Sequence, residues 1–344
     1  MNSSAKTPRS YDVLIGTGGI GTGAFFAIEG DQTLGREESR GGRFLDRRDY
    51  CKLHIISHYV QRLMGEPFQT LPIGKVGDDD TGRFLLNEMR STGLNLDCTA
   101  IVPGKQTLNC ICLLYPDGSG GNLTVSDSAS GQVGAEDIRK AIPWFEQYAG
   151  RGIALAVPEV PLEARLELLA LGTKHGFFRA ASFSSEEMSV VKNRALLSQV
   201  DLLAINLDEA ARLADTHSDT PQTIAEDVVR SIGSGALRLS ITAGAFGSWT
   251  FDGQRLHFLP SPKVDVQSAA GAGDAHFSGI LAGLTSGLIL SDAHQIGALA
   301  AALSVTSPHT IHPEIDRTVL RDFAENQKIP LTQPVSAFLN QTIP

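Results

Sequence analysis

Aromatic residues are scarce in this chain. Phe, Trp and Tyr make up 6% of its 344 residues, too few for an aromatic-rich β sandwich and in keeping with an α/β enzyme. Cysteine is scarcer still. Four thiols, Cys51, Cys98, Cys110 and Cys112, build neither a disulfide framework nor a pair of zinc knuckles and are read as reduced thiols in a reducing compartment. Cys110 and Cys112 lie two apart, so a strand puts both on one face, where small apolar packing is expected. Positive charge is also in deficit: 29 Lys and Arg against 38 Asp and Glu give a net charge of -9. That excludes a nucleic-acid partner held by an overall positive field, although local cationic sites remain open.

Long hydrophobic runs are missing as well. The most apolar stretch, residues 279–306, is broken by Ser291, Asp292, His294 and Gln295, which suits buried globular helices and argues against a membrane partner. The apolar run after Lys6 and Arg9 meets glycine directly after Ile15, too soon for a signal-peptide core. A cytoplasmic protein is expected. The 42% hydrophobic fraction suffices for one large or two ordinary domains.

What is present is an alternation of strand and helix patterns. Residues 12–16 form a buried-strand pattern followed at once by glycines, and Ala24 to Ile28 suit an edge or lid strand. Thr107 to Val125 alternate around Pro116-Asp117-Gly118, a hairpin signature. Strands are then expected at 153–157, 177–182, 200–205 and 237–242, with helices such as 162–175 and 224–232 between them. Such alternation predicts an α/β fold: a doubly wound, mainly parallel sheet flanked by helices, with ligands beyond the carboxyl ends of its strands. Residues 333–344 are expected to be a weakly anchored tail.

Gly16-Thr17-Gly18-Gly19-Ile20-Gly21 satisfies G-x-G-x-x-G after a strand, which raises an NAD(P)-binding oxidoreductase as one reading. The mechanism of that motif needs a long helix after the third glycine, and only Ala24 to Glu29 could supply one before Gly30. A glycine turn or lid hinge is the better reading.

The strongest chemical signal is Ser268-Ala-Ala-Gly271-Ala272-Gly273-Asp274, followed by Phe277, Ile280, Leu281, Leu284 and Leu288 at helical spacing. Small residues at a helix mouth leave backbone N–H groups free to hold an anion. A carboxylate there can take a proton from an attacking hydroxyl. Capping of the helix by Asp274 is the plainer alternative. Upstream, Asn206 and Glu209 fall three apart at a strand end and could orient waters around Mg²⁺. Thr242, Gly244 and Gly247 lie in a loop of small residues that lets backbone approach a polyphosphate.

In this order the segments resemble the PfkB or ribokinase family of carbohydrate kinases, and the likeness runs from about Tyr11 to Ile315. It includes Gly77-Asp78-Asp79-Asp80-Thr-Gly82, Gly93-Leu-Asn-Leu-Asp97, Glu159-Val-Pro161 and the stretch 300–306. The resemblance implies a ribokinase-like kinase domain over 11–325, with a small β lid near 18–46 and 105–127. It further implies ATP-dependent phosphorylation of a sugar, nucleoside or related polyol. Asp274 would be the general base, and the amides of Gly271, Ala272 and Gly273 the anion hole. Asn206 and Glu209 would organise Mg²⁺, the latter through water, and Thr242, Gly244 and Gly247 would lie along ATP.

The departures from the family pattern gather on the acceptor side. Gly21 stands where an Asp usually clamps sugar hydroxyls, and Gly41-Gly42-Arg43-Phe44-Leu45-Asp46 stands in place of G-G-x-x-x-N, which nominates Gly41, Gly42 and Asp46 for acceptor binding. Arg43, Arg47, Arg48 and Lys52 form a basic cluster suited to an anionic acceptor, or a solvated loop balanced by Glu37, Glu38 and Asp49. Ser268 replaces an Asp that the family uses for a monovalent cation, so potassium activation is not expected. A non-catalytic metabolite-binding relative is the alternative that these changes suggest. An unpaired lid edge invites a homodimer.

Overall fold

The computed structural model describes residues 10–30, 33–116, 120–192 and 194–341. Its strands in chain order are β1 (Val13–Thr17), β2 (Gly21–Ile28), β3 (Gly42–Phe44), β4 (Asp49–Tyr50), β5 (Gln69–Gly77), β6 (Thr99–Val102), β7 (Leu108–Leu114), β8 (Gly120–Thr124), β9 (Gly152–Ala156), β10 (Phe178–Ser182), β11 (Leu202–Asn206), β12 (Arg238–Thr242), β13 (Gly247–Phe251) and β14 (Leu256–Pro260). Nine of them form one sheet in the order β14-β13-β12-β11-β10-β9-β1-β5-β6. The run from β6 to β12 is parallel, and β13 and β14 return antiparallel. Every residue of β1 and of β9 is buried, as expected where helices cover both faces of a parallel sheet.

The two faces carry separate cores. One packs Leu53, Leu85, Ile280, Leu299, Leu320 and Phe338 against the sheet; the other packs Ile138, Phe145, Leu168, Met188, Ala210 and Val228. The helix Lys52–Met64 buries Leu53, Ile56, Val60 and Leu63, a helical stripe that fixes which way its first turn points. No helix among the described residues is long and apolar enough to cross a membrane.

A second, small sheet runs β3-β2-β7-β8, with β4 paired to β2. β2 and β7 are parallel, so Gly21 pairs with Leu108 and Gly23 with Cys110. β4 sets Asp49 opposite Gly23 from the other direction. β7 and β8 form the antiparallel hairpin predicted over 107–125, and Asp117 and Gly118 of its turn lie outside the described residues. The glycine motif at 16–21 leads into the strand β2 rather than a helix, which removes the structural basis for dinucleotide binding there.

The tail is a correction. Residues Gln333–Asn340 form a helix that buries Val335, Phe338 and Leu339, and the Arg317 guanidinium lies 4.1 Å above the Phe338 ring. Burial of three apolar side chains at helical spacing anchors this segment to the core. Residues 342–344 fall outside the described part.

Candidate active site

Parallel pairing brings the ends of β11 and β12 level, with Asn206 opposite Thr242. Beyond these ends begins the helix Ala272–Thr285, with Gly271 as its N-cap at φ +77°. A Cβ on Gly271 would stand 2.7 Å from the Thr310 carbonyl oxygen, so both backbone angle and space require glycine. The Ala272 amide donates to the Ala269 carbonyl at 3.3 Å. Among the described residues, the amides of Gly271, Gly273 and Asp274 have no acceptor. Of the three amides expected to form an anion hole, that of Ala272 is engaged elsewhere, and among the described residues the amide of Asp274 is free beside those of Gly271 and Gly273.

A cavity of about 530 Å³ opens beside this mouth and is lined by Thr242, Gly244, Gly247, Ala272, Gly273 and Lys263. Val264, Ala298, Ala301 and Val305 make much of its remaining wall apolar, which fits a flat heteroaromatic base next to a charged tail. The nucleotide residues expected from sequence thus line one cavity. Lys263 was not among them, because nothing in its local pattern distinguishes it from a solvated loop lysine.

Asn206 and Glu209 meet, but first as a reciprocal helix cap. Asn206 Oδ1 accepts from the Glu209 amide and Glu209 Oε2 accepts from the Asn206 amide, both at 2.9 Å. Burial raises the Glu209 carboxyl above its ordinary range, and the nearby Asp274 charge adds to this while Lys52 opposes it. One carboxylate oxygen, Oε1, remains for a hydrated cation.

On the far side of Asp274 the structure differs from expectation. Lys52 Nζ donates to Asp274 Oδ1 at 2.9 Å, with side-chain exposures of 38% and 14%. The Asp274 charge holds the Lys52 ammonium pKa up, more than burial lowers it. Glu159, at φ +77°, faces the same pair. Solvent reaches its side chain, yet the surrounding protein strips enough water to raise its carboxyl to about 7, with Lys52 opposing the rise.

Gly41, Gly42 and Asp46, nominated for acceptor binding, do not join this group. Gly41 and Gly42 hold the lid edge against Glu29 and Ile28. Asp46 lines a different cavity, with Arg48, Tyr50, His54, His58 and Glu88. The first helix starts only at Lys52, with Cys51 as its N-cap, so Asp46 sits in the loop ahead of it. The basic cluster is likewise dispersed: Arg48 pairs with Glu88, Arg47 lies over Phe25, and Lys52 pairs with Asp274. Ser268 is buried, and its hydroxyl accepts from the Ala270 amide at 3.4 Å.

The model of the pfkB family carbohydrate kinases matches residues 56–317. The chain belongs to that family. It is thus a phosphotransferase of the carbohydrate-kinase type. A 2-dehydro-3-deoxygluconokinase of Bacillus subtilis (strain 168) is 25% identical over 309 residues, 81% of this chain and 92% of the relative. A 5-dehydro-2-deoxygluconokinase of Bacillus anthracis is 27% identical over 265 residues, 70% and 76% respectively. Among solved structures, the ribokinase of Cryptococcus neoformans in complex with ADP superposes with a TM-score of 0.74 at 19% identity, covering 92% of this chain and all (100%) of that one. A putative ribokinase II of E. coli, in complex with ATP and Mg²⁺, gives 0.70 at 15% identity, with 91% and 99% covered. Cys51 and Lys52 precede the family-matched residues.

Proposed function

We propose that this pfkB-family kinase transfers the terminal phosphoryl group of Mg·ATP to a hydroxyl of a sugar-derived acceptor, and that the acceptor carries a carboxylate. One observation carries the reading. Asp274 sits between unpaired amides beside a nucleotide-sized cavity and an ammonium group facing the opposite chamber.

The nucleotide fits the residues present: the cavity supplies apolar wall for a base, Lys263 a cation, and the helix mouth free N–H donors. Glu209 Oε1 is the oxygen available to hold hydrated Mg²⁺. When bound, Mg·ATP supplies the phosphoryl group and neutralises part of its charge. The chain's own contribution is positioning. Asp274 Oδ2 has no partner among the described residues and takes the proton of the attacking hydroxyl. The amides of Gly271, Gly273 and Asp274 hold the oxygens on which charge accumulates.

Lys52 has three donor protons and gives one to Asp274. The others are N–H donors for an acceptor carboxylate; Glu159 and Glu209 leave the chamber net negative, so the carboxylate assignment rests on these donors and on the relatives, not on charge balance. Two relatives are named as kinases of dehydro-deoxygluconates, which are sugar acids; this supports the same class here. ADP formation measured with sugar acids, neutral sugars and nucleosides tests the reading. Turnover is expected with an acid. Turnover confined to neutral sugars or nucleosides contradicts the carboxylate assignment.

A second reading keeps the nucleotide and drops the transfer. It is favoured by the Lys52 contact, which engages one oxygen of the base. Nucleotide binding with no turnover on any acceptor would select it.

A further inference from the structure

The inner lid carries a cluster that phosphoryl transfer does not use. Cys110 and Cys112 share a face of β7 with Leu108, and a Cβ placed on Gly19 would touch both Leu108 Cδ2 at 2.9 Å and Glu159 Cβ at 2.5 Å. That face therefore looks towards the acceptor side of the cleft. Asp49 reaches it from β4. Its Oδ2 accepts from Cys110 Sγ at 3.3 Å and from Cys112 Sγ at 3.2 Å, and the two sulfurs are 3.9 Å apart.

Simple packing does not account for this arrangement. Asp49 is 9% exposed, and among the described residues its carboxylate has no cationic partner. Thiols are weak donors and compensate a buried carboxylate poorly. A disulfide is disfavoured as well. Residues two apart on a strand have Cα atoms about 6.7 Å apart, near the limit for a bridge, and the 3.9 Å sulfur separation is far beyond a bond of ~2.05 Å.

The three atoms instead match one face of a coordination tetrahedron. Bonds of ~2.3 Å to sulfur and ~2.0 Å to oxygen place two sulfurs ~3.8 Å apart and each sulfur ~3.5 Å from the oxygen. The observed edges are 3.9, 3.3 and 3.2 Å, so a centre within ~2.2 Å of all three lies just off their plane. A Cβ on Gly23 would stand 2.4 Å from both Asp49 Oδ2 and Cys110 Sγ, so only a residue without a side chain leaves that flank open. Cys51, also buried, adds a third thiol close enough to feel the charges of Cys110 and Asp49.

We propose that Asp49, Cys110 and Cys112 form a site for a thiophilic divalent cation, Zn²⁺, with a fourth position left for water. Two sulfurs and one carboxylate oxygen are the wrong donors for Mg²⁺ and the right ones for zinc. Binding displaces one proton from each thiol, so two thiolates and one carboxylate surround the ion and two protons are released. The site is separate from the phosphoryl-transfer residues, and it does not depend on the acceptor assigned above.

The test uses the full-length protein, reduced, stripped with chelator and titrated with Co²⁺ and then Zn²⁺. One equivalent of Co²⁺ is expected to give a near-ultraviolet thiolate-to-metal charge-transfer band that Zn²⁺ abolishes, with two protons released. The band should vanish in Cys112→Ser and in the Cys110→Ser/Cys112→Ser pair, weaken in Asp49→Asn, and persist in Cys98→Ser and in Glu209→Gln. Circular dichroism separates loss of ligands from loss of fold. For Cys112→Ser to support the site, its melting temperature must stay within a few degrees of the metal-free parent. No charge-transfer band in the parent, or a band unchanged in the double variant, overturns the proposal.

Discussion

Lys52 Nζ stands 2.9 Å from Oδ1 of Asp274, across 222 positions of sequence. The contact joins the first turn of one helix to the first turn of another, and it puts a cation beside the carboxylate proposed as the base. If that cation receives an acceptor carboxylate, Lys52→Met raises the acceptor KM and lowers kcat/KM by about 10²-fold, roughly the loss of one charge-assisted pair. The KM for ATP should not move. Steady-state kinetics with each substrate varied in turn check this; an unchanged acceptor KM would detach Lys52 from recognition.

Gly271→Ala forces a side chain into the left-handed region and against the Thr310 carbonyl, 2.7 Å from the new Cβ. The angle alone costs about 1–2 kcal/mol. Thermal unfolding should shift downwards by several degrees, and the stabilisation conferred by ADP should shrink because the helix mouth moves.

Ala301→Phe places a ring inside the cavity that Thr242, Gly244 and Gly247 line. At a nucleotide concentration one hundred times Kd, the parent gains about 2.7 kcal/mol of apparent stability. The variant should show little shift in melting temperature with ADP while its unliganded stability stays close to the parent's. A full shift would place the base elsewhere.

Behind the cavity lined by Thr242 and Gly247, Ser240, His276, Ser248, His294 and Thr250 form a buried chain of hydrogen bonds of 2.7–3.2 Å. Burial lowers the His276 pKa to about 4 and that of His294 to about 2, whereas both return to about 6.5 on unfolding. Their contribution is complete above pH 6.5 and is lost as pH falls from there towards the folded values. Between pH 7 and pH 5 each histidine removes about 2 kcal/mol. Glu159 works in the opposite sense over its own window, because a raised carboxyl pKa favours the folded state more as pH drops from about 7 towards 4.5. Denaturant titrations across this range, comparing the parent with His294→Asn, isolate the histidine slope; identical slopes would contradict the account.

The fold was legible because its signals are local. The buried run 12–16 and the strands 153–157 and 237–242 are apolar stretches bounded by turn residues, and they become β1, β9 and β12 within a residue or two. The helix mouth at Gly271 was legible for a similar reason: small residues followed directly by apolar residues three and four apart mark the start of a buried helix. Lys52 was not. Its partner lies 222 residues away, and from sequence it was one member of a basic cluster whose other members point elsewhere. Asp46 is the converse case: nominated by a motif match, it lines a cavity other than the one beside Asp274. The C-terminal helix was readable from Pro334, Val335, Phe338 and Leu339, where a helix-starting proline precedes apolar residues three and four apart. Chain ends are usually weakly anchored, and that general tendency masked the spacing.

Asp274→Asn is the most direct trial of the phosphoryl-transfer mechanism. The substitution keeps shape and removes only the ability to take a proton, so acceptor-dependent ADP formation should fall by about 10²–10⁴-fold while the ADP-induced shift in melting temperature is retained. Turnover equal to the parent's in that variant would contradict the account.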